Sequence, residues 1–462
     1  MPSGKQNSRL TRAGNIPMLA LNRPGWSAVS RPLRSQTHDV VTRRAPSDGM
    51  RKATGAHSAL PAHGGDVATE FGVSELWDPV VRRDPHRFYD RVRATGRPVL
   101  QIDPAGNRFW MIAGHADVLE GLRHPAIGHE VHRRCPGGRQ PARHELSEVA
   151  RIEARQLISL DPPDHTRLRG LVSGGFTARA VARLEPWISQ LADRLVARAR
   201  QQGRIDGIAD LADPVPVNVI AELVGIPEPD RPQFRAWSAA IVSASIDSSA
   251  ATLAFAAYLD ELAARRRAVP ADDLISQLVA HEEQGDRLDR DELVALVQLL
   301  LIAGQETTVD LISNGIRLLL THPDQWQALR DDPLLAAAVV EETLRFRGPV
   351  EIVPPRFALE DVEIAGGRIP AFDRVGMSLW GANRDPTVFD RPHVFDIHRT
   401  DVRKHIAFGH GIHFCLGAHL ARLESRIMFE RIAQQLPNLR LAVDPAVLDG
   451  FRLHHDGLPL EV

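Results

Sequence analysis

Residues 408 to 417 read FGHGIHFCLG and contain one of the two cysteines in a chain of 462 residues. Three chemistries suit a cysteine set among glycines and histidines. A buried thiol in a tight turn is inert packing. Zinc could take nitrogen and sulfur from His410, His413, Cys415 and His419, but these fall within ten residues, closer than the paired knuckles of structural zinc sites. An axial thiolate on heme iron accounts for more of the neighbours. At the start of a helix predicted from Cys415 through Gln435, a thiolate feels the positive end of the macrodipole, which lowers its pKa. Gly409, Gly411 and Gly417 let the backbone turn, bring N–H groups toward the sulfur and leave a flat macrocycle free of Cβ clashes. Phe408 packs beside the sulfur and keeps water away.

Such a ligand needs a rigid element facing it. The longest predicted helix spans roughly Arg290 to Leu320, with Asp289 as N-cap and Glu292 three residues later. A helix of about 30 residues is a rod roughly 45 Å long. Much of it is apolar around its whole circumference, which places it in the core. Near its middle, residues 303 to 308 read AGQETT. A glycine, an acid, an amide and two threonines in a buried helix carry propensity and desolvation costs that plain packing does not require. Elsewhere, RPVLQIDPAGNRFWMIA from Arg97 reads as a hairpin, and a second β-rich region runs from Arg356 to Trp380, punctuated by Gly366, Gly367 and Pro370.

Phe408, Gly411, Cys415 and Gly417 fill all four fixed positions of Phe-x-x-Gly-x-x-x-Cys-x-Gly, and the segment resembles the heme-binding loop of the cytochrome P-450 superfamily. AGQETT is similar to the family's oxygen-activating motif. By that match Glu306 is the acid and Thr307 the alcohol of a relay that delivers protons to dioxygen while bulk water is excluded. A plain packing role for Thr307 is back-bonding to the Ala303 carbonyl. Glu342 and Arg345 match the family's Glu-x-x-Arg pair, and Arg399 in FDIHR resembles its third partner; from spacing alone, such a pair is usually a solvated helix face. His165 and Arg169 in DPPDHTRLR, Arg356 after PVEIVPP, and His413 match the groups that hold the two heme propionates, a task suited to arginine forks. The matches run in family order from about residue 75 to the C-terminus and look like the soluble bacterial branch.

The resemblance implies a mainly α fold with a smaller β-rich part, heme lying between the long central helix and the Cys-ligand helix, and residues 66–462 forming a single heme-thiolate catalytic domain. It implies a monooxygenase that inserts one atom of dioxygen into an apolar small-molecule substrate, by hydroxylation or epoxidation, in secondary or lipid metabolism. A peroxide-driven peroxygenase and a non-catalytic heme sensor are alternatives on the same fold. The implied cofactor is heme b (iron protoporphyrin IX). Electrons come from NAD(P)H through a separate redox partner, ferredoxin with ferredoxin reductase being the usual bacterial pair, because the chain has no flavin or iron–sulfur segment. Arg403, Lys404, Arg422 and Arg426 form a candidate docking patch. Substrate contacts are implied at Leu299, Ala303, Ile352 and Val353, around residues 124 to 150, and within 234 to 256, all consistent with an apolar ligand.

Composition fits this picture. Two cysteines cannot build a disulfide framework, and the longest apolar stretch, LVALVQLLLIAG from Leu293, falls short of the roughly 20 residues of a membrane span. The expectation is a cytoplasmic monomer. Residues 1–65 hold a net charge of +8 and the rest of the chain −10, so the body is acidic and nucleic acid is not an expected partner. The leader is rich in Ser, Pro, Gly and Arg without periodicity, and reads as a basic, disordered N-terminal extension; a transit peptide and a true start at Met50 are the alternatives.

Overall fold

The computed structural model describes residues 71–135, 143–242, 248–283, 288–445, 448 and 457–462, so the leader 1–65 lies outside the described residues. Helices dominate, with the strands gathered into small sheets. The helices that shape the site are α1 (Asp164–Ser173), α2 (Pro214–Val224), α3 (Arg231–Val242), α4 (Arg290–Thr321), α5 (Ala336–Arg347) and α6 (Ala418–Gln435).

The rod expected at the centre is α4. Its start is fixed by a capping box: the Asp289 carboxylate accepts the Glu292 N–H at 2.9 Å, and the Glu292 carboxylate accepts the Asp289 N–H at 3.0 Å. Helices α2, α5 and α6 pack around it, which is why apolar side chains recur on every side of the helix. In length and composition α4 is apolar enough to cross a membrane, yet here that surface is consumed by the main core cluster. Its first-turn acids Asp291 and Glu292 are buried too, paired with Arg151 and Arg167.

The expected hairpin forms as β1 (Val99–Ile102) and β2 (Arg108–Ile112), antiparallel with Val99 opposite Met111. The Asp103 carboxylate closes its turn by accepting the N–H groups of Ala105 and Asn107 at 2.9 and 2.8 Å. Strand β3 (Ile127–Gly128) follows, then β4 (Arg204–Asp206). The β-rich region after Arg356 resolves into β5 (Arg356–Ala358), the hairpin β6 (Val362–Ile364) with β7 (Gly367–Ile369), and β8 (Arg374–Met377), before the chain turns helical at Leu379. The main sheet has the order β1-β2-β8-β5-β3, with β2 and β8 parallel. Strand β4 forms a second sheet with β10 (Pro459–Glu461) and β9 (Arg440–Leu441). A smaller apolar cluster under the main sheet joins β2, β5 and β8, and another gathers Leu76, Phe88 and Tyr89 at the start of the described chain.

Candidate functional site

The cysteine loop is tied to itself before it meets anything else. The Gly409 N–H donates to Ile406 O at 2.8 Å, Phe414 N–H to Gly411 O at 3.1 Å, and Cys415 N–H to Phe408 O at 2.9 Å. Gly411 has φ of 74°, and a Cβ there would lie 2.8 Å from the Leu122 carbonyl oxygen, so glycine is required twice over. The helix after the cysteine begins at Ala418 with Gly417 as N-cap, three residues later than the sequence predicts. Cys415 therefore precedes the helix, and its thiol is raised by burial, the largest influence, while the Gly417 N–H, Arg169 and Arg422 pull it down. The net shift is upward, opposite to the lowering expected at a helix start, because desolvation penalises the thiolate.

Cys415 lines a cavity with about 1630 Å³ of space free of protein atoms, its open mouth included. From α4 come Leu299, Ala303, Gly304, Thr307 and Thr308; from the loop after α5 come Val350 and Val353; from the cysteine loop come Phe408, Gly409 and Gly417. A Cβ on Gly417 would touch nothing within 4 Å. The Thr307 hydroxyl donates to the Ala303 carbonyl at 2.7 Å, the back-bond considered above, and leaves its lone pairs as acceptors. Glu306 lies one residue before, about 100° around the helix, half-buried and outside the cavity lining.

One end of the cavity collects positive and imidazole groups. His165 and Arg169 on α1, Arg356 on β5, and His413 all line it, joined by His129. The rings of His165 and His413 lie 4.2 Å apart and those of His129 and His413 4.8 Å apart. Arg169 donates to the Phe414 carbonyl at 2.6 Å. Among the described residues Arg356 reaches only the Leu122 carbonyl, at 3.4 Å, and its Nε has no partner. Burial pushes Arg356 down to about 10, against the opposing pull of Asp161. Burial likewise lowers His165 and, much further, His413, where His129, Arg356 and His165 add to the effect. Both nitrogens of His165 and Nε2 of His413 are sealed without a hydrogen bond. Orphaned buried donors are expensive, and a pair of carboxylates is what this cluster lacks. A sulfur facing open space, room over Gly417 and this cradle together fit a heme with two propionates.

The other sequence candidates fall elsewhere. Glu342 and Arg345 on α5 are 1% and 0% exposed, bound through Nε and Nη2 at 2.7 Å each, with Arg399 Nε at 3.4 Å from Glu342. They form a buried cluster apart from the cavity lining. Ile352 bridges to Ser378 and packs with the Phe88 cluster, also outside the lining. Of the described residues within 124–150 only His129 lines the cavity, and within 234–256 none does; α2 supplies Ile220 and Leu223 instead. In the docking patch, Arg422 is held by Glu341 at 2.6 Å and lies over the Phe408 ring, and Arg426 by Glu430 and Glu185. Arg403 and Lys404 remain exposed.

Two ionisable lining residues were not singled out by sequence reasoning, beside apolar ones such as Ile220 and Leu223. His129 had no local signal, because its neighbours come from 32 or more positions away. Glu424 did have one: it shares the buried face of α6 with Leu420, Ile427 and Met428, so an acid interrupts an apolar stripe. Burial pushes its carboxyl up to about 8.

Comparison with known proteins places these features in context. Residues 251–447 match the family model described as cytochrome P-450. The chain is 42% identical over 372 residues to vitamin D(3) 25-hydroxylase of Pseudonocardia autotrophica, covering 80% of this chain and 90% of the relative. It is 37% identical to 6-deoxyerythronolide B hydroxylase of Saccharopolyspora erythraea, covering 78% and 91%. A myxobacterial cytochrome P-450 crystallised with myristic acid superposes with a TM-score of 0.75 at 39% identity, covering 84% of this chain and 98% of that structure.

Proposed function

The chain belongs to the cytochrome P-450 family, and from that premise we infer a heme-thiolate monooxygenase in which Cys415 would hold the heme through its sulfur and Thr307 would present a proton to dioxygen. The activity is insertion of one oxygen atom into an apolar small molecule, as in the hydroxylases it resembles. When bound, heme supplies the redox centre at which dioxygen is activated, and thiolate ligation pushes electron density that favours O–O cleavage.

The protein's own residues do the rest. The 406–415 hydrogen bonds fix the sulfur at the cavity wall, and Phe408 and Leu416 shield it from water. Arg169, Arg356, His165 and His413, which line one end of the cavity, would hold the two propionates of heme b. Thr307 Oγ1, in the cavity lining, accepts and passes on a proton, and half-buried Glu306, one residue before it and outside the lining, resupplies it. Leu299, Ala303 and Val353 pack against the substrate, together with Ile220 and Leu296; none carries charge, so binding selects a neutral body of sterol, polyketide or fatty-acid type. Electrons derive from NAD(P)H through a ferredoxin and its reductase, docking near Arg403 and Lys404, whose charges suit an acidic carrier. Residues 66–462 act as one catalytic domain, a cytoplasmic monomer.

The observation that supports this reading best is that Cys415 and Thr307 face one cavity whose end is crowded with unneutralised cationic and imidazole groups. The test is the absorption spectrum of the purified, dithionite-reduced protein before and after carbon monoxide. A strongly red-shifted Soret band that Cys415→Ala abolishes is expected. A heme band without that shift removes the thiolate assignment, and no heme band in protein made with adequate heme removes the reading.

A further inference from the structure

His129 is held in place by an arrangement that packing alone does not call for. The Asp161 carboxylate accepts the backbone N–H of His129, at 2.9 and 3.1 Å to its two oxygens, and that of Glu130 at 2.8 Å. The Glu130 carboxylate answers by accepting the Asp161 N–H at 3.0 Å. Gly128 makes this approach possible, since a Cβ there would lie 2.7 Å from one Asp161 oxygen and 3.0 Å from the other. The Asp161 carbonyl also accepts the N–H of His165 at 3.1 Å, so the same residue sets the start of α1. One aspartate thus registers two segments that each deliver a histidine to the cationic end of the cavity.

The ring so placed lines the cavity and has both nitrogens sealed without a hydrogen bond. Burial and then Arg356 push His129 down to about 3, opposed by Asp161 and by a contact with the Pro355 carbonyl that falls short of hydrogen-bond geometry. The Asp161 charge is largely spent on its backbone donors. A buried imidazole without a partner is unfavourable unless a ligand supplies an acceptor, and even a neutral ring keeps one N–H to donate.

Resting on the heme reading above, we propose that His129 is a further member of the propionate cradle, donating a ring N–H to a heme carboxylate, with Gly128, Glu130 and Asp161 as the residues that position it. His165, Arg169, Arg356 and His413 then share the two carboxylates with a fifth donor, reached from the segment after β3.

The experiment measures heme loss from the holoprotein to an excess of a globin apoprotein, for the parent, His129→Leu, His129→Phe and His129→Gln, each loaded with heme and with heme dimethyl ester. With natural heme, the Leu and Phe variants should lose it about 10- to 100-fold faster, as for one hydrogen bond to a charged group. Gln, which keeps an N–H donor, should recover part of the difference. With the ester, the rates of parent and Leu or Phe variants should converge. Leu and Phe differ in size, so failure of one to fold leaves the other to decide. Unchanged loss of natural heme overturns the proposal, and so does an equal ratio with the ester, which would assign His129 to packing. A parent protein that takes up no heme overturns the functional reading instead.

Discussion

Replacing Glu342 by Gln tests how the fold supports the cysteine loop. The Glu342 carboxylate accepts Arg345 Nε and Nη2 at 2.7 Å each and the Asp396 N–H at 2.9 Å, with Arg399 Nε at 3.4 Å. Arg345 spends its remaining donor capacity on the carbonyls of Pro392 at 2.8 Å, Val394 at 3.0 Å and Asn383 at 3.1 Å. The side chain of Asn383 accepts the Ile406 N–H at 2.8 Å, at the head of the cysteine loop. The pair thus fastens the segment that leads into Cys415. Three close bonds to a charged group, at about 1.5–3 kcal/mol each, set a ceiling of roughly 4.5–9 kcal/mol. The amide keeps one acceptor and Arg345 keeps its three carbonyls, which brings the expected loss to about 3–5 kcal/mol, the usual result of leaving one buried charge unpaired. That is a large share of the roughly 5–15 kcal/mol that stabilises a folded domain. Urea midpoints of the heme-loaded protein, with the heme spectrum followed in parallel, are the assay; stability and heme retention should fall together. A Gln variant within about 1 kcal/mol of the parent would refute the reasoning, since the pair would then be a solvated one in effect.

Thr307→Ala removes the hydroxyl on the cavity wall; more hydrogen peroxide per electron pair and less product are expected, with the carbon monoxide spectrum unchanged, and unaltered coupling would end the relay role. Glu424 is held neutral in the fold by burial, with a carboxyl pushed from 4.5 up to about 8. For an acid raised on folding, its penalty is absent below the unfolded pKa and grows as pH rises toward the folded one, to a ceiling of about 5 kcal/mol at ~1.4 kcal/mol per unit. Glu424→Gln should therefore unfold at a higher denaturant midpoint than the parent at pH 8 and differ little near pH 4.5; a pH-independent gap would contradict the burial argument. Charge reversal at Arg403 and Lys404 should slow electron transfer from a ferredoxin and flatten its dependence on salt, whereas Arg422→Glu should act through stability because Arg422 is already bound to Glu341.

Much of the site was legible because its signals are local. The Phe-x-x-Gly-x-x-x-Cys-x-Gly spacing, the polar insertion in an apolar helix and the Asp289 capping box each depend on residues within one or two turns, and the loop and α4 form around them. The start of α6 was misplaced because Cys415 and Leu416 belong to the loop that curls back on Phe408, a hydrogen bond that competes with helix formation. Two members of the docking patch looked free until the fold brought Glu341 to one and Glu185 to the other, from 81 and 241 positions away.

The amino-acid sequence by itself determined the cysteine loop, the alcohol on α4 and the order of the elements that carry them, because chemistry encoded by short spacing survives any rearrangement of distant segments. Tertiary structure alone decided which groups share the cavity. Ile352 and Val353 are neighbours in the chain, yet Val353 lines it and Ile352 turns into another cluster. His129 and Glu424 enter it from opposite ends of the chain, and the thiol is raised because burial, a property of the whole packed molecule, outweighs the Gly417 N–H and the nearby Arg169 and Arg422.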